Sequence, residues 1–212
     1  PLPAFATQPA PAVIAPTKTL SPSNLGGAKA LSDERGADTE TALQSGQLIH
    51  LLLEHLPTRP ESDWPVLAAN LLSTTNQACG GVDTAALLAE ATALLTKPEL
   101  RKIFIPEALA EVDVSAELPS LDGRGIHGTI DRLVINKAEV LAIDFKSNVA
   151  VPAEVVHCPE GILRQMGAYA EALKQIYPDR KITMAILWTK TATLMSLPDG
   201  LLCDALSRSD VS

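Results

Sequence analysis

From Thr41 to Leu56, apolar residues return at helical spacing. Leu43, Leu48, Leu51, Leu52 and Leu56 form one stripe, and Pro57 stops the helix. Trp64–Thr75 and Asp83–Thr96 read as further helices, the second opened by Asp83 as an N-cap, and Pro98 begins another short helical piece. The period then changes to two. Over Glu111–Leu118, the residues Val112, Val114, Ala116 and Leu118 alternate with Glu111, Asp113, Ser115 and Glu117, which marks a strand with one wet face. Ile126–Ile135 and Val140–Lys146 are two more strands, joined by a turn through Asn136–Glu139. A helix over Glu160–Tyr177 ends at Pro178, and a second hairpin pairs Ile182–Trp188 with Thr193–Leu197 around a turn near Lys190. Helices, three strands, a helix and two strands predict an α/β (α+β) domain. Its core is a mixed sheet of about five strands flanked by helices, preceded by an N-terminal helical portion.

The ends of the chain are patterned differently. Pro1, Pro3, Pro9, Pro11, Pro16 and Pro22 give the beginning the character of an extended linker, with Pro22 placed to open a short helix in Ser21-Pro22-Ser23. Residues 26–40 are Gly-rich and charged and read as a mobile loop. The expected organisation is a linker or extended segment over 1–40, one domain over 41–206 and a tail over 207–212. Such a beginning reads as a domain that follows a tether.

Composition narrows the class. At 46% hydrophobic and 20% charged residues the chain is of ordinary globular type. No apolar run approaches the roughly 18–20 residues of a membrane span, and the N-terminus lacks the plan of a secretory signal, so a cytoplasmic location is expected. Cys79, Cys158 and Cys203 form no CxxC pair, which argues against a structural zinc or iron–sulfur site and for buried or free thiols in a reducing compartment. There is no GxxxxGK[ST] loop, hence no ATP motor within these residues. The net charge of −8 counts against a partner held by its phosphates. A site that gathers carboxylates for a cation is itself acidic, however, and other domains of a larger machine can supply the grip.

Candidate chemistry concentrates in two stretches, Gly128-Thr129-Ile130-Asp131-Arg132 and Ala142-Ile143-Asp144-Phe145-Lys146-Ser147. Strand alternation puts Asp144 and Lys146 on one face and Ile143 and Phe145 on the other. The carboxylate suits a hard divalent cation, and the ammonium suits phosphate charge or an attacking water. Asp131 is placed to face Asp144 across the hairpin. On spacing alone a plain surface ion pair is the better account of an Asp-x-Lys triplet, which is a common pattern. His50, in an apolar helix, has a similarly bland reading as a partner of Glu54 one turn on. Gln165 and Tyr169 are four apart and share a helix face.

Taken in order, these pieces form a set: Gly46-x-x-x-His50, Glu111, Gly128-x-x-Asp131-Arg132, Asp144-x-Lys146-Ser147 and Gln165-x-x-x-Tyr169. The set resembles the RecB-type nucleases of the PD-(D/E)XK superfamily, in particular the C-terminal nuclease domains of AddA-type subunits of AddAB helicase–nucleases. The likeness runs from about Ser21 to about Leu201. It implies a PD-(D/E)XK, restriction-endonuclease-like core. It also implies metal ligation by His50, Asp131, Asp144 and the Phe145 carbonyl, with Lys146 as catalytic lysine and Gln165 and Tyr169 supporting the site and meeting DNA. Glu111 matches an acidic position ahead of the hairpin. Phe145 and Ser147 stand where Tyr and Thr are more usual.

The implied activity is Mg2+-dependent hydrolysis of DNA phosphodiesters, with Mn2+ able to substitute, on single strands delivered by helicase domains of the same full-length chain. An AddB-like subunit is the implied partner. The alternative is a catalytically silent nuclease-fold module for DNA guidance and subunit assembly. Ala in place of Asp144 or Lys146 is expected to abolish cutting with thermal stability nearly intact.

Overall fold

A computed structural model describes residues 19–29, 39–76 and 82–209. Three helices come first: α1 (Thr39–His55), α2 (Trp64–Asn76) and α3 (Thr84–Thr96). Pro57 ends α1 as expected, and the chain tightens into a 3-10 turn over Leu56–Thr58. Asp83 caps α3, its Oδ1 accepting from the Ala85 and Ala86 amides at 3.0 and 3.1 Å. Five strands follow: β1 (Leu109–Leu118), β2 (Arg124–Ile135), β3 (Glu139–Lys146), β4 (Lys181–Trp188) and β5 (Thr193–Leu197). They form one sheet in sequence order. Every neighbouring pair is antiparallel except β3–β4, and the parallel pair is bridged by α4 (Glu160–Ile176).

The sheet separates two cores. On one face Leu48, Ile49, Leu52 and Leu53 of α1 and Leu94 of α3 pack on Ile143, Phe145, Ala185 and Leu187. On the other, Ile162, Met166, Tyr169 and Leu173 of α4 pack on Val114, Ile126, Ile130, Ala142 and Ile186. A helix not foreseen from the sequence, α5 (Asp199–Ser207), joins this second face through Leu202, Ala205 and Leu206. It lies so close to α4 that a Cβ on Gly167 would come 2.7 Å from the Leu202 carbonyl oxygen. Apolar spacing at Leu201, Leu202, Ala205 and Leu206 was the available signal for it.

Of the proline-rich beginning, Pro1, Pro3, Pro9, Pro11 and Pro16 lie outside the described residues, as does Cys79. The described part differs from a free linker. Leu20 bridges in parallel to Ile126, Pro22 and Leu25 are buried, and the Gly161 amide donates to the Ala28 carbonyl at 2.8 Å. Pro22 does open a short helix, over Pro22–Asn24. The loop expected over 26–40 ends early, because α1 begins at Thr39. No helix among the described residues is long and apolar enough to cross a membrane.

Candidate metal centre

The centre sits at a fault in the β1–β2 hairpin. Ile130 and Leu133 both face the α4 side although they are three residues apart, so strand alternation breaks between them. The partner strand breaks at the same level. The register runs Ala110↔Arg132 and then Val112↔Ile130, leaving Glu111 and Asp131 opposite one another but outside the ladder. Glu111 has φ +48°, a left-handed backbone that costs a residue with a Cβ roughly 1–2 kcal/mol. Pairing of β2 with β3 also ends here. Arg132↔Ile143 is the last rung, and beyond it the Asp131 carboxylate takes the place of a backbone acceptor, its Oδ2 receiving the Phe145 amide at 2.5 Å.

Helix α1 crosses this fault. His50 Nδ1 lies 3.4 Å from Asp131 Oδ1. One ligating atom from each of His50, Glu111 and Asp131 falls within 4.8 Å of the other two. A cation held at about 2.2 Å spaces its ligands by at most about 4.4 Å, so slight inward movement closes the three around one ion.

On the other side of Phe145, Asp144 is 3% exposed. Lys146 Nζ sits 2.6 Å from its Oδ2, and Gln165 Nε2 donates to its Oδ1 at 2.8 Å. Tyr169, one turn along α4, donates to the Thr129 carbonyl at 2.9 Å. That brace depends on Gly128, where a Cβ would stand 2.6 Å from Tyr169 Oη and 2.9 Å from Pro22 Cδ. The Phe145 ring points to the α1 face and meets the His50 ring edge-on at 5.5 Å.

The electrostatics are those of an acidic centre short of positive charge. Burial works against a charged His50, but Asp131 beside it, with Asp144 farther off, outweighs this and raises its pKa. Burial, then the nearby Asp131 and Glu54 carboxylates, push Glu111 up. Burial also pushes Asp144 up, with Lys146 pulling against it. Burial opposes the Lys146 charge in turn, yet Asp144 and Asp131 hold its pKa above the ordinary lysine range, so the side chain stays an ammonium. Tyr169 is raised by burial and by Asp144 and remains a phenol. Imidazole plus hard carboxylate oxygens form a donor set that fits a divalent cation.

The residues singled out from sequence therefore fall into two adjoining groups. His50 and Asp131 meet, and Glu111 joins them. Asp144, Lys146 and Gln165 meet, Phe145 lies between the groups, and Tyr169 braces β2 from α4. Glu54 contacts His55, at 3.8 Å, in place of the His50 pairing its spacing allowed. Asp144 and Lys146 are not a surface pair, so the expectation that either could be removed at little cost in stability is corrected. Arg132, 2% exposed, is a charged core residue whose only mark in the sequence is its place after Asp131. Among the thiols, burial pushes Cys158 up to about 11, and Cys203 is exposed.

Comparison with known proteins identifies the family. No curated protein matches the chain. Among solved structures, one described as "Crystal structure of SSO0001" is similar at 16% identity over 76% of this chain and 73% of that one. Its TM-score of 0.30 is too low to carry weight. The model of the PD-(D/E)XK nuclease superfamily matches residues 25–197, a span that takes in both halves of the site. A mixed five-stranded sheet flanked by helices is the matching architecture, and the chain belongs to the PD-(D/E)XK nuclease superfamily.

Proposed function

We propose that the chain is a divalent-metal-dependent deoxyribonuclease domain that cuts single-stranded DNA as the nuclease module of an AddA-like helicase–nuclease subunit. The observation that carries this reading is the convergence of His50, Glu111 and Asp131 within 4.8 Å, beside the buried Asp144 and its part-buried partner Lys146. His50, Asp131, Asp144 and the Phe145 carbonyl are the proposed ligands of Mg2+, or of Mn2+ in its place, and Glu111 is added to them because of where its carboxylate lies. Such an ion supplies Lewis acidity to a phosphodiester and to the water that attacks it. Lys146, held as an ammonium, stabilises charge on the phosphate and orients that water. Gln165 fixes the Asp144 carboxylate by its hydrogen bond, and Tyr169 fixes the strand that carries Asp131. The ordered sequence set favours an AddA-like subunit, with helicase domains in the same chain and an AddB-like partner.

The test is cleavage of an end-labelled single strand by the 212-residue chain with Mg2+ or Mn2+. Cutting is expected to stop with EDTA and to fall by about 10²-fold or more on Lys146→Ala. Undiminished cutting in EDTA or by the variant contradicts the proposal.

A further inference from the structure

Helix α1 has a carbonyl that it cannot satisfy by itself. The Leu53 oxygen would normally accept from the amide four residues on, but that residue is Pro57, which has no N–H. Arg132 fills the gap, its Nη2 donating to the Leu53 carbonyl in a very short, buried contact. Leu53 lies one turn beyond His50. Arg132 directly follows Asp131, the residue that meets the His50 ring. Two consecutive strand residues thus hold the same turn of the same helix.

A second line of contacts reaches His50 from the same guanidinium. It lies over the Phe104 ring at 5.3 Å, Phe104 packs on Phe145 at 6.2 Å, and Phe145 meets the His50 ring at 5.5 Å. Surface charge has no part in this, because Arg132 is 2% exposed. A buried guanidinium is costly and makes a poor general stabiliser. What its planar fork provides is direction.

We infer that Arg132 is a positioning residue of the metal centre, a latch that fixes the His50-bearing turn of α1 against β2 by taking the carbonyl that Pro57 leaves free. This rests on the proposed metal site and adds a part to it that touches neither metal nor substrate. Groups that orient a ligand typically change metal affinity by about 10–100-fold when removed.

The test is Mn2+ affinity of the whole chain, read from the electron paramagnetic resonance signal of the free ion, for wild type, Arg132→Met, Arg132→Lys, His50→Ala, and His50→Ala combined with each Arg132 change. Arg132→Met keeps the apolar stem and loses the fork, and is expected to weaken Mn2+ binding about tenfold or more. Arg132→Lys keeps the charge without the fork and is expected to fall between it and wild type. In the His50→Ala background the Met change should cost little further, since Arg132 acts through His50. Unchanged affinity in Arg132→Met, or an equal loss with and without His50, overturns the inference. If the Met variant fails to fold, Arg132→Lys decides: full wild-type affinity overturns it and a loss that vanishes without His50 supports it. No Mn2+ binding by wild type would instead sink the metal site itself, leaving the two failures distinct.

Discussion

At the scale of single residues, the depth at which charge is buried decides what each side chain can do. The Asp144 side chain is 5% exposed and that of Lys146 23%. Removing one partner strands the other, at a cost of roughly 3–5 kcal/mol for a buried pair, toward the lower end here because a stranded Asp144 can take a proton and a stranded Lys146 is part-exposed. Asp144→Ala and Lys146→Ala are each expected to lower urea-unfolding stability by about 3 kcal/mol, and the double variant by clearly less than the two together. Additive losses would contradict the pairing. His50 gives a pH dependence with a definite sign. Its folded-state pKa is raised, so without metal the His50–Asp131 contact contributes stability that is full below the ordinary imidazole value near 6.5 and is lost as pH rises through the folded value. A bound cation needs the neutral ring, so protons compete with it. The rise in Tm given by a fixed Mn2+ concentration should therefore grow from pH 6 to pH 8. In His50→Gln that growth should flatten, and an equally steep rise in the variant would remove His50 from the site.

At the scale of elements, the alternation of apolar and polar residues is enough to find the five strands and four of the helices near their observed bounds. It fails where a neighbour, and not the segment itself, sets the structure. Helix α5 depends on the surface of α4 at Gly167, and residues 19–29 are held by β2 and α4. The fault at Glu111 and Asp131 is the sharpest case. Glu111 reads as one more outward residue of a regular strand, because the alternation through Leu118 is unbroken in the sequence. Only the left-handed turn of its backbone brings its carboxylate to His50. This yields a prediction that inverts ordinary strand behaviour, in which Gly is less stable than Ala by about 0.5–1 kcal/mol. At position 111 the Gly variant should be more stable than the Ala variant by about 1 kcal/mol in chemical unfolding, while both bind Mn2+ more weakly than wild type. Greater stability for Glu111→Ala would deny the strained backbone.

At the scale of the whole molecule, a net charge of −8 and an acidic centre look unfavourable for a DNA enzyme. Distribution resolves part of this. The carboxylates converge where two helical layers meet the sheet, and a site that gathers carboxylates for a cation is itself acidic. The ordered motif set carries much of the site into the sequence, because Asp144, Lys146, Gln165 and Tyr169 keep fixed spacings on one strand and one helix. The contact between α1 and the hairpin, 81 residues apart from His50 to Asp131, is tertiary and has no local signature. It is also what the proposed chemistry depends on. The most direct measurement is an anomalous difference map from crystals of the chain grown with Mn2+. A single strong peak within about 2.2 Å of a His50 nitrogen and an Asp131 carboxylate oxygen is the predicted result. A map with no peak there, or a Mn2+ ion bound elsewhere with His50 turned away from Asp131, would contradict it.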